Sequence, residues 1–396
     1  MTRPPAPAWH CRWCGGSAGD VVLDLGDQPP AGLLPRPGDA LPDPTEPLRM
    51  ILCATCGLAQ LEEDGRPPVE EPGVEPSAMV EQGRRVVARL ASEGLLRPGS
   101  TYRQFPSPHG GDWGPMLRAA GASPWSEDDG EPADVVLDVF GLMHDADVAA
   151  AWDRRVRGLG TGSVLVVQYH SLAGDLRTGS WHTLRPGHYG YFSAPVLLAM
   201  ADRSGLVPVG AWETELQGGT GVLVLARPGS DRGSRGAAGS AAQLERQERA
   251  LGVLDAAALR SLGDIAGRAA AALGDYLARC DAVGLRVAGY SAASRTPVIL
   301  TMSGTGTREL LAVADAAPGK QGRCLPVGRV PVVAPEALPE LQPDRVVLFV
   351  PELLDEVRQT CPEVEERGGR WVVLDPYPIE KDPAARAAVE RREGAR

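Results

Sequence analysis

Two groups of residues have types and spacings that can do chemistry. The first is a pair of C-x-x-C knuckles, Cys11-Arg12-Trp13-Cys14 and Cys53-Ala54-Thr55-Cys56. Each knuckle offers two sulfurs from a tight turn, and two of them can close a tetrahedral thiolate site for zinc. Sulfur takes all four positions, so the expected metal is structural. A redox dithiol and two unrelated pairs of buried thiols are the other readings, and His10 is expected to be a neighbour rather than a ligand. The second group is Trp181 to Ser193, W-H-T-L-R-P-G-H-Y-G-Y-F-S, which crowds two histidines, two tyrosines and an arginine around a Pro-Gly turn. Pro186-Gly187 forbids a continuous helix, so His188 is presented from a turn, with Tyr189 and Tyr191 on one side if the chain leaves extended. A histidine so placed can move protons near neutrality. The alternative is a packed aromatic turn whose histidine caps a carbonyl.

The elements that must position these groups alternate. A short polar first module, rich in Pro and Gly, promises little core of its own, so a metal would supply much of its folding energy. Apolar periodicity then predicts a helix over 77–96, a strand over 101–105, the glycine loop Pro106 to Gly114 and a helix over 115–120. Strands near 134–140 and 163–169 flank a helix over 147–159, and a helix over 194–204 precedes strands over 207–213 and 221–226. Pro228 to Ser240 is a Gly/Ser-rich linker by composition, followed by one long helical region over 243–282. Strands are expected at 286–289, 298–302, 346–351 and 371–374, with helices after Gly306 and up to Gln359. The fold class is α/β: a small zinc-binding domain (1–76), a shortened central Rossmann-like domain (77–228), a linker (229–242) and a C-terminal Rossmann-like domain (243–396).

The chain of 396 residues is acidic, with a net charge of −11 and a pI near 5.2, which excludes a broad phosphate-binding nucleic-acid face. No apolar run reaches membrane-spanning length, and the start MTRPPAPAWH lacks the apolar core of a secretory signal. A cytoplasmic location is expected, and seven cysteines, four of them in close pairs, suit a reducing compartment.

The chain resembles the deoxysugar C-methyltransferases of antibiotic biosynthesis. The motifs that carry the resemblance are the two knuckles, T-L-R-P-G-H-Y-G-Y-F-S (Thr183 to Ser193), G-G-T (Gly218 to Thr220), G-Y-S-A-A-S-R (Gly289 to Arg295), and K-Q-G-R-C-L-P (Lys320 to Pro326) with V-P-V-V-A-P-E (Val330 to Glu336) after it. As a set, in this order, they are specific. The resemblance implies a nucleotide-linked 4-keto sugar as substrate and S-adenosylmethionine as methyl donor. A base takes the proton beside the ketone, and the enolate attacks the methyl group. The family's base falls on His188, and its other active-site histidine on His144. Tyr191, Gly289, Tyr290, Arg295, Lys320 and Arg323 are implied near the sugar nucleotide, with cations and N–H groups facing its diphosphate. Gly110, Gly111, Asp112 and Gly114 stand where the family binds its donor.

The departures are as telling. Arg185 and Gly187 replace the family's tyrosine and glutamate before the base, and H-G-G-D-W-G replaces its donor loop, with a bulky Trp113 among the glycines. The dozen residues from Ser123 to Ala133 cannot hold the strand, helix and strand that carry the family's ribose-binding acid. Glu127, Asp128 and Asp129 are the substitutes at hand, and a remodelled donor site is the expectation. Arg185 can hold the enolate oxygen in place of the tyrosine. A donor-independent epimerase or isomerase, and a non-catalytic sugar-nucleotide-binding or partner protein, are the competing readings. His170 and His182 can line the same cleft, and neither is singled out.

Overall fold

The computed structural model describes residues 9–30, 32–39, 43–64, 75–107, 111–232 and 237–382. Gly110 and the stretch from Glu71 to Val74 lie outside the described residues.

The first module is a sheet rather than a loop bundle. Strands β1 (Gly19–Gln28), β2 (Glu46–Cys53) and β3 (Ala59–Leu61) pair antiparallel in that order. Its fourth strand comes from elsewhere: β3 pairs with β8 (Gly190–Tyr191), inside the histidine-bearing stretch. The module has little core of its own. Val22, Leu25, Leu48 and Met50 are buried, in one apolar cluster with Leu259, Leu262 and Leu273 of the C-terminal domain. A module too small to bury its own apolar face borrows another.

In the central domain, α1 (Ser77–Ser92), β4 (Thr101–Phe105), α2 (Gly114–Ala119), β5 (Ser123–Pro124), β6 (Val135–Val139), α3 (Val148–Arg157), β7 (Val164–His170) and α4 (Leu172–Thr178) precede β8. Then come α5 (Ala194–Arg203), β9 (Val207–Thr214) and β10 (Thr220–Ala226). The sheet order is β5-β4-β6-β7-β10-β9, parallel through β7 and antiparallel beyond it. Strands β6 and β10 are buried along their whole length, as continuous apolar runs in a sheet covered on both faces should be.

The linker is shorter and better anchored than its composition suggests. Arg232 is buried, meets Asp134 Oδ1 at 2.5 Å and donates to the Leu95 carbonyl. One long helix was expected next; two form, α6 (Ala237–Ala250) and α7 (Ala256–Ala282). The break falls at Gly252, whose φ of +85° no helix accepts, and Asp255 restarts the chain by capping α7 at the Ala257 amide. Ala241 and Leu244 of α6 are buried in the central domain's core, so by packing α6 belongs there.

The last domain runs β11 (Val287–Tyr290), α8 (Arg295–Ser303), β12 (Val313–Ala314), β13 (Val332–Val333), α9 (Leu338–Leu341), β14 (Arg345–Leu348), α10 (Leu354–Thr360), α11 (Glu363–Glu366), β15 (Arg370–Asp375) and β16 (Tyr377–Glu380). Its order is β13-β12-β11-β14-β15-β16, parallel except for β16. Residues 298–302 are helical, not a strand. A short V-I-L run buried all round has no period to separate the two, and here Gly304 in the left-handed region closes it as a helix. A turn at 307–309 stands where a helix was expected after Gly306.

Candidate active site

The switch point of the last sheet lies beside β11, with β12 on one side and β14 on the other, and open α/β sheets bind ligands at the carboxyl ends of strands at that point. A cavity of about 260 Å³ sits there. The C-terminal domain contributes Tyr290 to Arg295, Asp315, Lys320 and Glu356; the central domain contributes Phe140, His170, His182, Arg185 and His188. Phe140 and Ser291, both on its wall, hold φ of 59° and 75° without being glycine, backbone strain of a kind that collects at functional sites.

His188 is reached through a closed turn. Its amide donates to the Arg185 carbonyl, and Gly187 takes a φ of +86°. His144 does not line the cavity. It stands behind the turn, its ring perpendicular to that of His188 at 4.7 Å between centroids, and its Nδ1 lies 3.0 Å from the Gly187 carbonyl. Burial, then the Arg185 charge, push His144 down to about 4, so it is neutral at physiological pH and donates from Nδ1 to Gly187. Arg185 Nε donates to His188 Nε2 at 2.8 Å, which makes Nε2 the acceptor nitrogen of that ring. Tyr191 is also off the cavity: it is buried, and its hydroxyl accepts the Arg185 amide.

The zinc knuckle braces the same turn. Arg12 donates to the carbonyls of Leu61 and Ala146 and lies 5.0 Å over the Tyr189 ring, while the Tyr189 amide donates to Met143 and its carbonyl accepts from Leu61. The four cysteine sulfurs lie within 4.8 Å of one another, with 3.5 Å across Cys11–Cys56 and 3.6 Å across Cys14–Cys53. A Zn–S length of about 2.3 Å needs tetrahedral edges of about 3.8 Å, so the set fits structural zinc.

On the facing wall, Arg295 opens α8 with its Nε buried and without a hydrogen bond among the described residues. Lys320 Nζ donates to the Ala292 carbonyl and meets Asp315 Oδ2 at 3.2 Å. Two expected ligands are elsewhere. Gly289 lies inside β11, where an added Cβ would strike Phe349 and Val313, and Arg323 points at the Leu34 carbonyl of the first module. His182 and His170 are the wall residues that sequence reasoning left aside.

The described residues of the donor loop, 111–114, do not line this cavity, and their amides are engaged by the chain's own side chains. The Trp113 amide donates to Gln104 Oε1, the Gly114 amide to Asp112 Oδ1, and the Gly111 amide steadies the Glu75 carboxylate. Trp113 turns away from the loop and packs on α1 at Gly83, where an added Cβ would lie 2.8 Å from its Nε1. Strand β5 has two residues, and Glu127 and Asp128 are exposed. At that edge Arg103 lies over the rings of Phe105 and Trp125, at 5.1 Å and 5.3 Å. In the described part of the loop, residues 111–114, the amides of Gly111, Trp113 and Gly114 are engaged by the chain's own side chains.

Residues 11–69 match the family model described as "Putative zinc binding domain", and residues 215–376 the one described as "C-methyltransferase C-terminal domain". The C-methyltransferase NovU of Streptomyces niveus is 26% identical over 413 aligned positions that take in 94% of this chain and 96% of that protein. Among solved structures, magnesium protoporphyrin IX methyltransferase from Synechocystis PCC 6803 and the N-methyltransferase NodS from Bradyrhizobium japonicum WM9 are each 14% identical with a TM-score of 0.27. They cover 37% and 39% of this chain and 82% and 99% of their own, and both likenesses are faint. The chain thus carries matches to a zinc-binding domain at its start and to a C-methyltransferase C-terminal domain at its end, and it is similar along nearly all of its length to a C-methyltransferase.

Proposed function

We propose that the protein acts on a nucleotide-linked keto-deoxysugar, that His188 removes the proton beside the ketone, and that Arg185 receives the developing oxyanion. One observation carries this reading: a single cavity is bounded by Arg185 and His188 on one wall and by the Tyr290–Arg295 turn and Lys320 on the other. The second wall offers a diphosphate the guanidinium of Arg295, the ammonium of Lys320 and the amino end of α8. The first places a base beside a cation. Arg185 holds the Nε2 lone pair of His188 at 2.8 Å, so a ketone oxygen that draws the guanidinium onto itself frees that lone pair for the C–H beside it. Deprotonation then leaves the negative charge against a cation already in place.

Kinship makes S-adenosylmethionine the methyl donor, whose chemistry is an electrophilic methyl group. In the loop the amides of Gly111, Trp113 and Gly114 are engaged by Glu75, Gln104 and Asp112, which a bound donor would have to displace. The experiment is proton washout in deuterium oxide, followed by NMR, on thymidine diphosphate 4-keto-6-deoxyglucose. Loss of the α proton is expected with the parent protein and at least about 100-fold slower with His188→Asn. Equal washout from parent and variant overturns the base assignment. Calorimetric titration with S-adenosylmethionine tests the donor side: saturable binding supports methyl transfer, and its absence leaves proton transfer as the chemistry.

A further inference from the structure

The cavity holds a second histidine with a carboxylate behind it. His170 ends β7 on the cavity wall, and its Nε2 meets Asp175 Oδ1 at 2.7 Å. Asp175 is 1% exposed, in the first turn of α4, and its other oxygen accepts from Thr183 Oγ1 at 3.0 Å. Both carboxylate oxygens are therefore committed, and the buried negative charge faces the imidazole. That arrangement holds the ring in one tautomer, with the proton on Nε2 and the lone pair on Nδ1. Nδ1 makes no hydrogen bond among the described residues. The neighbouring His182 cannot share this part, because burial, then the charges of Arg295 and Arg185, hold it well below the ordinary histidine range.

We propose that His170, positioned by Asp175, is a second proton-transfer residue of this cavity, which makes it a two-histidine site able to invert the carbon beside the ketone without a methyl donor. The proposal rests on the His188 reading and extends it. His188 takes the C–H proton, and the bonding pair becomes the enolate, whose oxygen Arg185 holds. The enolate pair then forms a new C–H bond with the proton on His170 Nδ1, and the carbonyl is restored. The carbon is neither oxidised nor reduced, and nothing is consumed. The two histidines end with exchanged charge states, which solvent resets.

A merely structural reading of the pair exists: a strand-end histidine that satisfies a buried aspartate. Product configuration separates the two. With thymidine diphosphate 4-keto-6-deoxyglucose in deuterium oxide, and S-adenosylmethionine absent, the parent protein is expected to yield both retained and inverted deuterated product. His170→Asn is expected to lower the ratio of inverted to retained product at least tenfold. Asp175→Asn, which reverses the hydrogen bond and forces the wrong tautomer, should lower kcat for inversion more than it changes KM, at an unaltered melting temperature. If the parent washes out the α proton but forms no inverted product, or if both variants keep the parental ratio, this proposal falls while the His188 reading stands. If the parent and His188→Asn show the same washout, the His188 reading fails and takes this one with it.

Discussion

At the scale of single residues, the site is a set of histidines whose surroundings give them different duties. His144 and His182 are held neutral, His188 has its Nε2 under a guanidinium, and His170 has a carboxylate at its back. His144 therefore serves as a fixed donor to the Gly187 carbonyl, and pH reports on it. Its value in the fold, about 4, lies below the unfolded value, so the unfolded chain binds more protons between the two. Its contribution to stability is complete above about pH 6.5 and is lost as pH falls towards about 4. His144→Gln keeps an N–H for Gly187 and should remove that slope. The difference in melting temperature between parent and variant, measured from pH 4 to 7, checks it.

At the scale of elements, α6 is the piece whose role its sequence did not advertise. From it Glu248 reaches into the central domain and accepts hydrogen bonds from Tyr169 Oη and Ser171 Oγ, each at 3.1 Å, and from the Ala194 amide that opens α5 at 2.5 Å. These partners flank the histidine-bearing stretch, since Ser171 is bridged to Phe192. Burial pushes Glu248 up to about 7 in spite of its three donors. Here the sign is opposite to that of His144: the fold binds the extra proton, so stability is greatest below about pH 4.5 and falls as pH rises towards about 7. The loss is of order 3 kcal/mol at full ionisation. Glu248→Gln should flatten this slope and leave a protein relatively more stable at pH 8 than the parent, read by urea denaturation at both ends of the window. The buried pair of Asp138 with Arg155 is the other tie inside this domain, at the carboxyl end of β6. Removing Arg155 should cost about 3–5 kcal/mol, because it leaves the fully buried Asp138 carboxylate without its cation, whereas Arg155 keeps Asp145 at 3.1 Å if Asp138 is removed.

At the scale of the whole molecule, three sheets meet at one turn. The first module supplies β3 to β8 and Arg12 to Tyr189, the central sheet supplies His170 and the path to Glu248, and the last sheet supplies the facing wall. Zinc is therefore expected to act on the site from a distance. Removing it with a chelator should loosen the knuckles, free Arg12 from Tyr189 and reduce α-proton washout together with the thermal stability of the first module. Metal analysis at one zinc per chain, with washout restored on adding zinc back, checks this; full washout by a metal-free protein contradicts it.

The residues that can do chemistry were legible in the sequence because their types and spacing are local. Two C-x-x-C knuckles make one site wherever they meet, and Pro186-Gly187 puts His188 on a turn without help from afar. Strands over 101–105, 134–140 and 207–213 were legible for the same reason, through an apolar pattern written in consecutive residues. Tertiary structure decided what no local pattern can carry. Val298 to Leu300 became helical because a run buried on every side has no period, and α6 and α7 parted at Gly252 because one φ forbade continuity. Tyr191, Gly289 and Arg323 left the cavity, while His170 and His182 entered it, because which side of a wall a side chain faces depends on the sheet packed behind it. The sequence by itself determined the chemistry available to this protein and the elements that carry it. Only the packing of three separate sheets around one turn decided which of those groups share a cavity, because their meeting depends on contacts between residues more than a hundred positions apart.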